Sequence, residues 1–576
     1  MSQTLYLRRK KDGTPERLLL ECPYEENEIA KEAGLGTAVW QNASKRWSYP
    51  LDPAIVRRLL RYFPNLHITD EVWDYLQWLS DKQERVMLAT QNQEPLCDQP
   101  LWGFQRASVR FLEAAQRCII GHQMGTGKTP IACTAVDYLG VSKILVVCPN
   151  SVKWHWVDQM REWGRREHVW VMESKSQAVD NRAQIISGQS LKRDTELAKL
   201  LTHTYVMVLI INYDQLRIHV DTLKAFDFDV IIADEAHRLN NRKSQRSQAM
   251  AEVAKHTQYL WLLTGTPVRN NYADLYNLLA LCDPDRFSSY WNFVNLHLQS
   301  IPNFHGGVDV IGLRDETEFN AMLSTYMFRV AKQEAMPQMP PKVYKEICLP
   351  MTVKQEEIYR RMEQEFIMYV EKQVDTGESL EEILSVANTI SQIIRLRQIC
   401  LTPAIIGGAR ESAKLDLLPD LIEDIIADNR QFLIYTWFRA FVPFVEGVLK
   451  SMGVPYAKVL GGQSSYDRDR AVKALANGDV ACVVGTISSM GEGTDGLQAA
   501  TVEIFCDIDW VPAVNEQAED RVHRGEITES PTIIRLYHPN TVEADIRAAC
   551  RKKERIINET VGRVEVIRQM LLRGRR

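Results

Sequence analysis

Short hydrophobic runs alternate with longer segments of helical length in two stretches of the chain. From about residue 100 to 285 the apolar runs fall at 118–120, 143–148, 206–211, 229–233 and 258–263. From about residue 430 to 540 they fall at 432–436, 456–460, 480–485, 502–506 and 532–537. Strands separated by helical lengths indicate βαβ units, which form parallel sheets through right-handed crossovers. The pattern therefore predicts two α/β lobes.

The rest of the chain follows other patterns. Residues 286 to 400 are long and amphipathic, as at 353–372 and 380–396, and predict a helical insertion between the lobes. Near the N-terminus, two short strands at 39–41 and 45–50 and a helix at 54–62 predict a small α+β module. The predicted domains are a module at 1–95, lobes at 96–285 and 406–545 with the insertion at 286–405 between them, and a basic C-terminal brace or tail at 546–576.

Composition narrows the class of protein. The 576 residues suit three or four domains, and 45% hydrophobic with 25% charged residues is ordinary for a soluble globular protein. We expect neither a membrane span, which needs about 18 apolar residues, nor a signal peptide. Eleven cysteines without a Cys-x-x-Cys pair favour reduced thiols, no zinc site, and a cytosolic or nuclear compartment. The net charge of −5 means that any nucleic-acid surface is local.

Residues 121 to 129 read GHQMGTGKT after a strand-like run. A glycine-rich turn that leads into a helix directs backbone N–H groups at phosphate oxygens. Lys128 would then reach the β and γ phosphates, and the Thr129 hydroxyl would bind Mg²⁺. A strict phosphate-loop pattern has glycine where this chain has His122, so a chance glycine turn is the alternative.

Residues 234 to 237 read DEAH and follow a second buried run, at the carboxyl end of a strand, where α/β sheets bind ligands. We expect Asp234 to hold the Mg²⁺ shell and Glu235 to orient and deprotonate the attacking water. His237 is expected to hydrogen-bond across the site rather than to bind metal. The alternative is a solvated helix start whose acidic residues favour the helix dipole.

These motifs, with others in the same order, resemble the superfamily-two helicases, and within them the Swi/Snf-type DNA-dependent ATPases, over about residues 100 to 540. Gln105 in LWGFQ is similar to the family's adenine-reading glutamine, and that family also lacks the first phosphate-loop glycine. Its Met-Gly-Leu-Gly-Lys-Thr loop corresponds here to Met124, Gly125, Thr126, Gly127, Lys128 and Thr129. Further similar segments are VCPNS at 147–151, LTGTP at 263–267, PPK at 340–342 and LRQIC at 396–400. The resemblance implies two RecA-like lobes, with ATP and Mg²⁺ as cofactors.

The second lobe supplies QAEDRVHR at 517–524, similar to motif VI of that family. The resemblance implies that Arg521 and Arg524 are arginine fingers, which neutralise charge on the transferring phosphoryl group. The alternative is an exposed charged helix in which Asp520 and Arg524 pair. Motif V, at 491–497, implies nucleotide contacts for Gly493 and Asp495. Motif V is one residue longer here than in the family. The sequence directly after Arg524 also differs from the family pattern.

Tracking along nucleic acid needs hydroxyls, amides and cations directed at phosphates. The candidates beside the family motifs are Asn150, Ser151, Lys153, Asn212, Arg242, Lys243, Arg439, Gly462, Ser464, Arg468 and Ser488. A solvated surface is the alternative for each of them. The basic C-terminal residues are expected to brace the lobes or to add phosphate affinity.

The function that the sequence predicts is an ATP-dependent translocase on duplex or branched DNA, which remodels, rewinds or anneals forks and junctions. A strand-separating helicase, a DNA-binding scaffold without turnover, and the motor subunit of a larger restriction or remodelling complex are the alternatives. The N-terminal module faintly resembles HARP-type modules of annealing helicases. Its Trp, Arg and Tyr residues together can stack on unpaired bases or can form the core of a small domain, and the core is the expected place of Trp47. We expect a monomer with protein partners that supply specificity. The cytoplasm of a bacterium or phage-infected cell is favoured over the nucleus.

Overall fold

The structure is a computed structural model that describes residues 3–173, 182–187, 190–203, 207–268, 271–302, 308–375, 387–491, 496–524, 527 and 529–551. The chain divides into two compact units. The first consists of Met1–Gln123, Gly127–Cys148 and Trp156–Ala331, and the second of Met124–Thr126, Pro149–His155 and Lys332–Arg576. Among the described helices, none has the length and apolar character to cross a membrane.

The N-terminal module is built around a five-stranded sheet in the first unit. Its elements are β1 Thr4–Arg9, β2 Pro15–Glu21, α1 Asn27–Ala33, β3 Val39–Gln41, β4 Arg46–Tyr49, α2 Pro53–Tyr62, β5 His67–Ile68 and α3 Asp70–Gln91. The strand order is β3-β4-β2-β1-β5. Alternation sets the register: Leu5 pairs with Leu20 and Leu7 with Leu18, and these leucines are buried under the helices. The predicted hairpin and helix are present, within a larger sheet than the sequence indicated.

The first lobe is a sheet of order β15-β6-β12-β11-β7-β10-β8-β9 in which every neighbouring pair is parallel, β15 being Met327–Phe328. The elements up to its last long helix are α4 Gly103–Ala115, β6 Arg117–Ile120, α5 Lys128–Tyr138, β7 Lys143–Cys148, α6 Lys153–Glu162, β8 Val169–Met172, β9 Gln184–Ile186, α7 Ser190–His203, β10 Met207–Asn212, α8 Tyr213–Ile218, α9 Val220–Leu223, β11 Val230–Asp234, α10 Gln245–Val253, β12 Tyr259–Leu263 and α11 Leu275–Cys282. Strands such as β7 are covered on both faces, so they are continuous apolar runs.

The segment predicted as a helical insertion also contains strands. Its elements are α12 Tyr290–His297, β13 Leu298–Pro302, β14 Val308–Leu313, α13 Glu316–Ser324, β15 Met327–Phe328, α14 Lys332–Ala335, β16 Val343–Cys348, α15 Val353–Asp375 and α16 Ala387–Leu401. β13 and β14 form a separate antiparallel hairpin, whereas β15 joins the first sheet beside β6. The hairpin differs from the prediction because its apolar residues alternate with polar ones only over short stretches.

The second lobe is a parallel sheet of order β16-β21-β20-β17-β19-β18. Its remaining elements are α17 Ala413–Ala427, β17 Phe432–Thr436, α18 Val442–Ser451, β18 Tyr456–Val459, α19 Ser465–Ala476, β19 Cys482–Thr486, α20 Ile487–Gly491, β20 Val502–Phe505, α21 Pro512–Glu519, β21 Thr532–Tyr537 and α22 Val542–Arg551. Apolar clusters cover both faces of the sheet. The predicted α/β fold with two parallel-sheet lobes is confirmed, and each predicted lobe strand is present within two residues of its predicted bounds.

Candidate functional site

The glycine-rich loop follows β6 and ends where α5 begins. Gly127 has φ +79°, and a Cβ atom there would lie 2.5 Å from Gln105 Nε2. The Gln105 side chain is in turn held by the Trp102 N–H, which donates to Gln105 Oε1 at 2.9 Å. The adenine-reading candidate therefore lies directly against the loop. Met124 and Thr126 are buried, and Gly125 also has a positive φ.

Lys128 is held by the loop's own backbone. Its Nζ donates to the carbonyl oxygens of His122 at 3.0 Å and Gln123 at 3.2 Å. These weak neutral acceptors leave the ammonium able to exchange them for phosphate oxygens, which bind cations more strongly. The geometry is compatible with the predicted role of Lys128.

His122, which replaces a glycine of the strict motif, is fully buried. Its Nδ1 lies 3.0 Å from the Val330 N–H, so Nδ1 accepts and the proton resides on Nε2. Nε2 then donates to Ser108 Oγ at 2.7 Å, and Ser108 donates to the Phe104 carbonyl. Burial lowers the pKa of His122 to about 3, and the Lys128 charge acts in the same direction. A neutral histidine thus joins α4 to the loop.

Asp234 ends β11 and is fixed by two aromatic side chains. Trp156 Nε1 donates to Asp234 Oδ2 at 2.9 Å, and the Tyr213 hydroxyl donates to the Asp234 backbone oxygen at 2.6 Å. Burial and the neighbouring Glu235 charge raise the pKa of Asp234. The sequence analysis did not assign either aromatic residue to this site, because a contact across the sheet leaves no local signal.

Glu235 has the left-handed backbone conformation, with φ +51°. Such strain in a residue with a side chain is concentrated at functional sites. His237 Nδ1 lies 3.2 Å from Glu235 Oε2 and 3.4 Å from Thr264 Oγ1. His237 is therefore placed to link this segment to Thr264, which follows the neighbouring strand β12. The alternative of a solvated helix start is wrong, since a buried 3-10 turn follows at Ala236–Leu239.

The residues present fit a magnesium ion. Mg²⁺ prefers oxygen ligands and is usually held by one or two carboxylates together with waters and phosphates. Thr129 and Asp234 would supply such oxygens, and Asp234 is a largely buried carboxylate at the carboxyl end of β11, beside the loop that carries Thr129. Over the described ranges, no group of three or more His, Cys, Asp or Glu side chains forms a candidate metal cluster.

In the second unit, the two predicted arginine fingers follow the end of α21. Arg521 is 4% exposed, and its Nε donates to the Gly491 carbonyl at 2.9 Å. Arg524 is partly exposed. The alternative of an exposed charged helix is wrong, because the helix ends at Glu519 and Asp520 contacts Lys332 and Lys342. Gly493 and Asp495 lie outside the described residues.

The nucleic-acid candidates of the second lobe follow three neighbouring strands. Arg439 comes after β17, Ser488 after β19, and Gly462, Ser464 and Arg468 after β18. Arg439 Nη1 donates to the Gly461 carbonyl at 3.2 Å and Arg468 Nη2 to the Leu460 carbonyl at 3.1 Å. Ser464 Oγ caps α19. The structure therefore brings these five residues to one edge of the sheet.

The candidates near the first lobe are more scattered. Asn150, Arg242 and Lys243 are exposed, and the Arg242 guanidinium lies 4.9 Å from the Tyr290 ring centre. Lys153 is fully buried, which the sequence did not indicate, and Asn212 caps α8 by accepting from the Gln215 N–H. The side chain of Ser151 and the basic residues from 552 onward lie outside the described part of the chain.

Comparison with known proteins gives a consistent result. A model described as the SNF2-related domain matches residues 73–405, and one described as the helicase conserved C-terminal domain matches residues 413–526. A "SWI/SNF-related matrix-associated actin-dependent regulator of chromatin subfamily A-like protein 1" of Xenopus laevis is 25% identical over 94% of this chain and 53% of its own length. A mouse "chromodomain-helicase-DNA-binding protein 1-like" is 25% identical over 84% of this chain and 53% of its own length.

A solved Sulfolobus solfataricus SWI2/SNF2 ATPase core in complex with dsDNA gives a TM-score of 0.35 at 20% identity, covering 84% of this chain and 97% of that one, a likeness too low to support an argument. The chain spans about half the length of the two relatives just named. The SNF2-related model, however, matches more than half of the 576 residues. The chain therefore belongs to the SNF2-related family of helicase-like ATPases.

Proposed function

We propose that this protein is an ATP- and Mg²⁺-dependent motor that moves along duplex or branched DNA and remodels forks or junctions. The observation that carries the proposal is the arrangement at the carboxyl edge of the first sheet. The loop with Lys128, the Asp234–Glu235 pair and Thr264 follow β6, β11 and β12, which are neighbours in the sheet. This edge is where open α/β sheets bind nucleotides.

Each residue has a distinct role in the proposed hydrolysis. Lys128 binds the β and γ phosphates, while Thr129 and Asp234 hold the ion, which neutralises charge on the phosphates when it is bound. Glu235 orients the attacking water and accepts its proton, and His237 with Thr264 keeps Glu235 in place. Arg521 and Arg524 stabilise the charge that develops on the transferring phosphoryl group.

We propose DNA as the polymer along which the protein moves because of the residues that follow β17, β19 and β18 at one edge of the second sheet. The segments that follow three adjacent strands bring side chains and a glycine there, with Arg439 and Arg468 as the cations. Contacts of this kind bind the phosphate backbone and carry no base sequence information. The relatives' printed names include chromatin regulation and DNA binding, which agrees with DNA rather than RNA as the polymer.

The N-terminal module is proposed to choose structured DNA. The outer face of its sheet carries Tyr6, Arg8, Arg17 and Arg46, and the Arg46 guanidinium lies 4.2 Å from the Tyr6 ring centre. Arginine and tyrosine together can contact both phosphates and unpaired bases. Trp47 was expected in the module's core; it is half-buried, packs against that core, and donates to Asn27 Oδ1.

A single assay tests the proposal. Phosphate release is measured with no polymer and with single-stranded DNA, duplex DNA, forked DNA and RNA. We expect strong stimulation by duplex or forked DNA and little by RNA. Equal rates with every polymer would contradict a DNA-tracking motor, and the Arg439→Gln/Arg468→Gln double variant should lower stimulation by duplex DNA without changing the polymer-free rate.

Strand separation is a second candidate function, and one observation favours it. The β13–β14 hairpin pairs with no other described strand and carries Ile301 and Ile311 at 49% and 61% exposure. An apolar hairpin of this kind can act as a wedge between bases. Displacement of a third strand from a triplex, without separation of a plain duplex, would favour tracking. Separation of a plain duplex that is lost in Ile301→Ser/Ile311→Ser would favour the wedge.

A further inference from the structure

The turn that carries the two arginines begins where its helix ends. Glu519 is the last helical residue, and Asp520 is the C-cap, with φ −73° and ψ −4°. The backbone N–H groups of Asp520 and Arg521 still bond to the preceding turn, at Glu516 and Ala518. Beyond Arg521, helical hydrogen bonds no longer define the backbone, so side-chain contacts must set the position of Arg524.

Most of the side-chain contacts to this turn come from one segment, residues 332–344, which we call the strap. Arg535 of β21 also pairs with Glu519, and Arg521 itself donates to the Gly491 carbonyl. Lys342 Nζ lies 2.9 Å from Asp520 Oδ1 and 3.4 Å from Glu519 Oε2. Lys332 Nζ lies 3.1 Å from the same Asp520 oxygen and also donates to the His523 carbonyl.

Two further hydrogen bonds extend this attachment. His523 Nε2 lies 2.7 Å from the Pro340 carbonyl, which can only accept, so the imidazole donates. The Tyr344 hydroxyl donates to Glu519 Oε2 at 3.0 Å. Thus the strap contacts the arginine-bearing turn before Arg521, at Glu519 and Asp520, and between the two arginines, at His523.

The ion pairs are shielded from water, which increases their effect. The side chains of Glu519, Asp520, Lys342 and Lys332 are 0%, 15%, 14% and 10% exposed. Burial by itself raises the pKa of Asp520, but the charges of Lys342 and Lys332 outweigh it, and the pKa is lowered. At this burial a carboxylate that loses its cation is strongly disfavoured, so the turn would have to move to restore a partner.

The strap has a fixed backbone from which to act. Lys342 directly precedes β16, in which Val343 pairs with Thr532 and Tyr344 with Ile533 of β21. Two consecutive prolines, Pro340 and Pro341, restrict the backbone just before it. The backbone position of Lys342 is therefore set by the sheet and by the two prolines, and its ammonium is held by Asp520 and Glu519.

We infer that Lys342, assisted by Lys332, is a positioning residue for phosphoryl transfer: it fixes the turn that presents Arg521 and Arg524 by holding Asp520 and Glu519. This rests on the proposed role of the two arginines. A misplacement of about 1 Å in such a group can cost about 100-fold in rate. The effect should appear in kcat and in binding of a transition-state mimic, because ATP itself is bound mainly by the loop.

The test compares DNA-stimulated turnover of Lys342→Met with that of Lys345→Met, its matched control. Lys345 lies on the same strand, exposed, three residues further along the chain. For Lys342→Met we expect kcat to fall about 10- to 100-fold with little change in KM for ATP. Binding of MgADP–aluminium fluoride should weaken in parallel, and Lys342→Arg should restore most of the rate. A folded Lys342→Met protein that behaves like Lys345→Met would overturn the inference.

A double variant separates positioning from general destabilisation. If Lys342 acts through the two arginines, Lys342→Met should cost less in the Arg524→Ala background, where only Arg521 is left to misplace, than in the wild type, whereas fully additive losses would overturn the inference. Full activity of Arg524→Ala would instead overturn the proposed role of that arginine. If Lys342→Met does not fold, Tyr344→Phe removes one hydrogen bond from Glu519, and we expect kcat to fall about threefold; an unchanged kcat would count against the strap.

Discussion

At the scale of single residues, Glu235 has the most specific assigned chemistry. Its left-handed backbone and its contact with His237 place its carboxylate at the carboxyl edge of the sheet. We expect Glu235→Gln to bind ATP normally but to hydrolyse it about 100-fold or more slowly, because the amide cannot accept the proton of water. Single-turnover phosphate release and a nucleotide-binding titration measure the two effects. Glu252→Gln, on an exposed face of α10, is the control, and persistent turnover in Glu235→Gln would remove its assigned role.

Gly127 allows a second test at this scale, because the chain contains a matched glycine. Both Gly127 and Gly140 have positive φ, but only at Gly127 would a Cβ meet a side chain, Gln105 Nε2 at 2.5 Å. Each change to alanine costs about 1 kcal/mol of backbone strain. Gly127→Ala also forces the Gln105 amide away from the loop, so we expect ATP affinity to fall at least about tenfold in this variant only. Equal ATP affinities in the two variants would show that the contact between position 127 and Gln105 does not contribute to ATP binding.

At the scale of elements, His122 joins α4 to the loop after β6 and to Val330. Because its folded-state pKa is about 3 and its unfolded value is about 6.5, only the unfolded chain takes up this proton between those pH values. The contribution of a neutral His122 to stability is therefore complete above pH 6.5 and is lost as the pH falls towards 3. By pH 5 the loss is about 2 kcal/mol.

Thermal unfolding between pH 7.5 and 5 checks this effect. In His122→Asn the amide oxygen can still accept from Val330, but the group no longer titrates. We expect the variant to have the lower Tm at pH 7.5 and a smaller further decrease at pH 5 than the wild type. Parallel decreases in the two proteins would mean that His122 is protonated in the folded state.

The elements of both lobes could be predicted because buried parallel strands are continuous apolar runs. The module's first two strands, Thr4–Arg9 and Pro15–Glu21, were not predicted, because charged residues end their apolar runs after a few positions, although Asp12-Gly13 between them is a hairpin turn signal. The β13–β14 hairpin was missed for a related reason: its strands are half-exposed. Local pattern detects long, continuous burial most readily, and each of these strands is buried over part of its length at most.

At the scale of the molecule, the N-terminal module is attached to the first lobe by a buried ion pair. Asp52 Oδ2 lies 3.3 Å from the Arg286 guanidinium and 3.4 Å from His297 Nε2. Burial alone would raise the pKa of Asp52, but Arg286 and His297 lower it below its usual value. We expect Arg286→Met to lower the free energy of unfolding by about 3–5 kcal/mol, because it leaves a buried carboxylate without its main partner.

The exposed ion pair between Arg57 and Glu318 provides the control. It also joins the module to the first lobe, but Arg57→Met should cost no more than about 1 kcal/mol. Urea unfolding of the two variants compares these costs directly. Similar values for both would mean that the module is held by its apolar contacts alone.

At the candidate site, too, the sequence predicts only what a local pattern carries. Lys128, Asp234 and Glu235 could be predicted because phosphate and metal chemistry requires these residue types within short local motifs. Trp156, Tyr213 and Lys342 could not be assigned, since they act through contacts far along the chain. The monomeric state, the compartment and the preferred DNA structure stay predictions.

The buried Asp52–Arg286 pair limits how the N-terminal module can be transferred to another SNF2-related protein. Leu296 also lies in the apolar core of the module, so the module's folding boundary extends past the residues that precede the motor. A graft of residues 1–95 onto another SNF2-related protein would therefore lack Arg286, His297 and Leu296, which the module contacts. Exchange of the N-terminal module between homologues should give a stable protein only when Arg286, His297 and Leu296 are transferred together with the module.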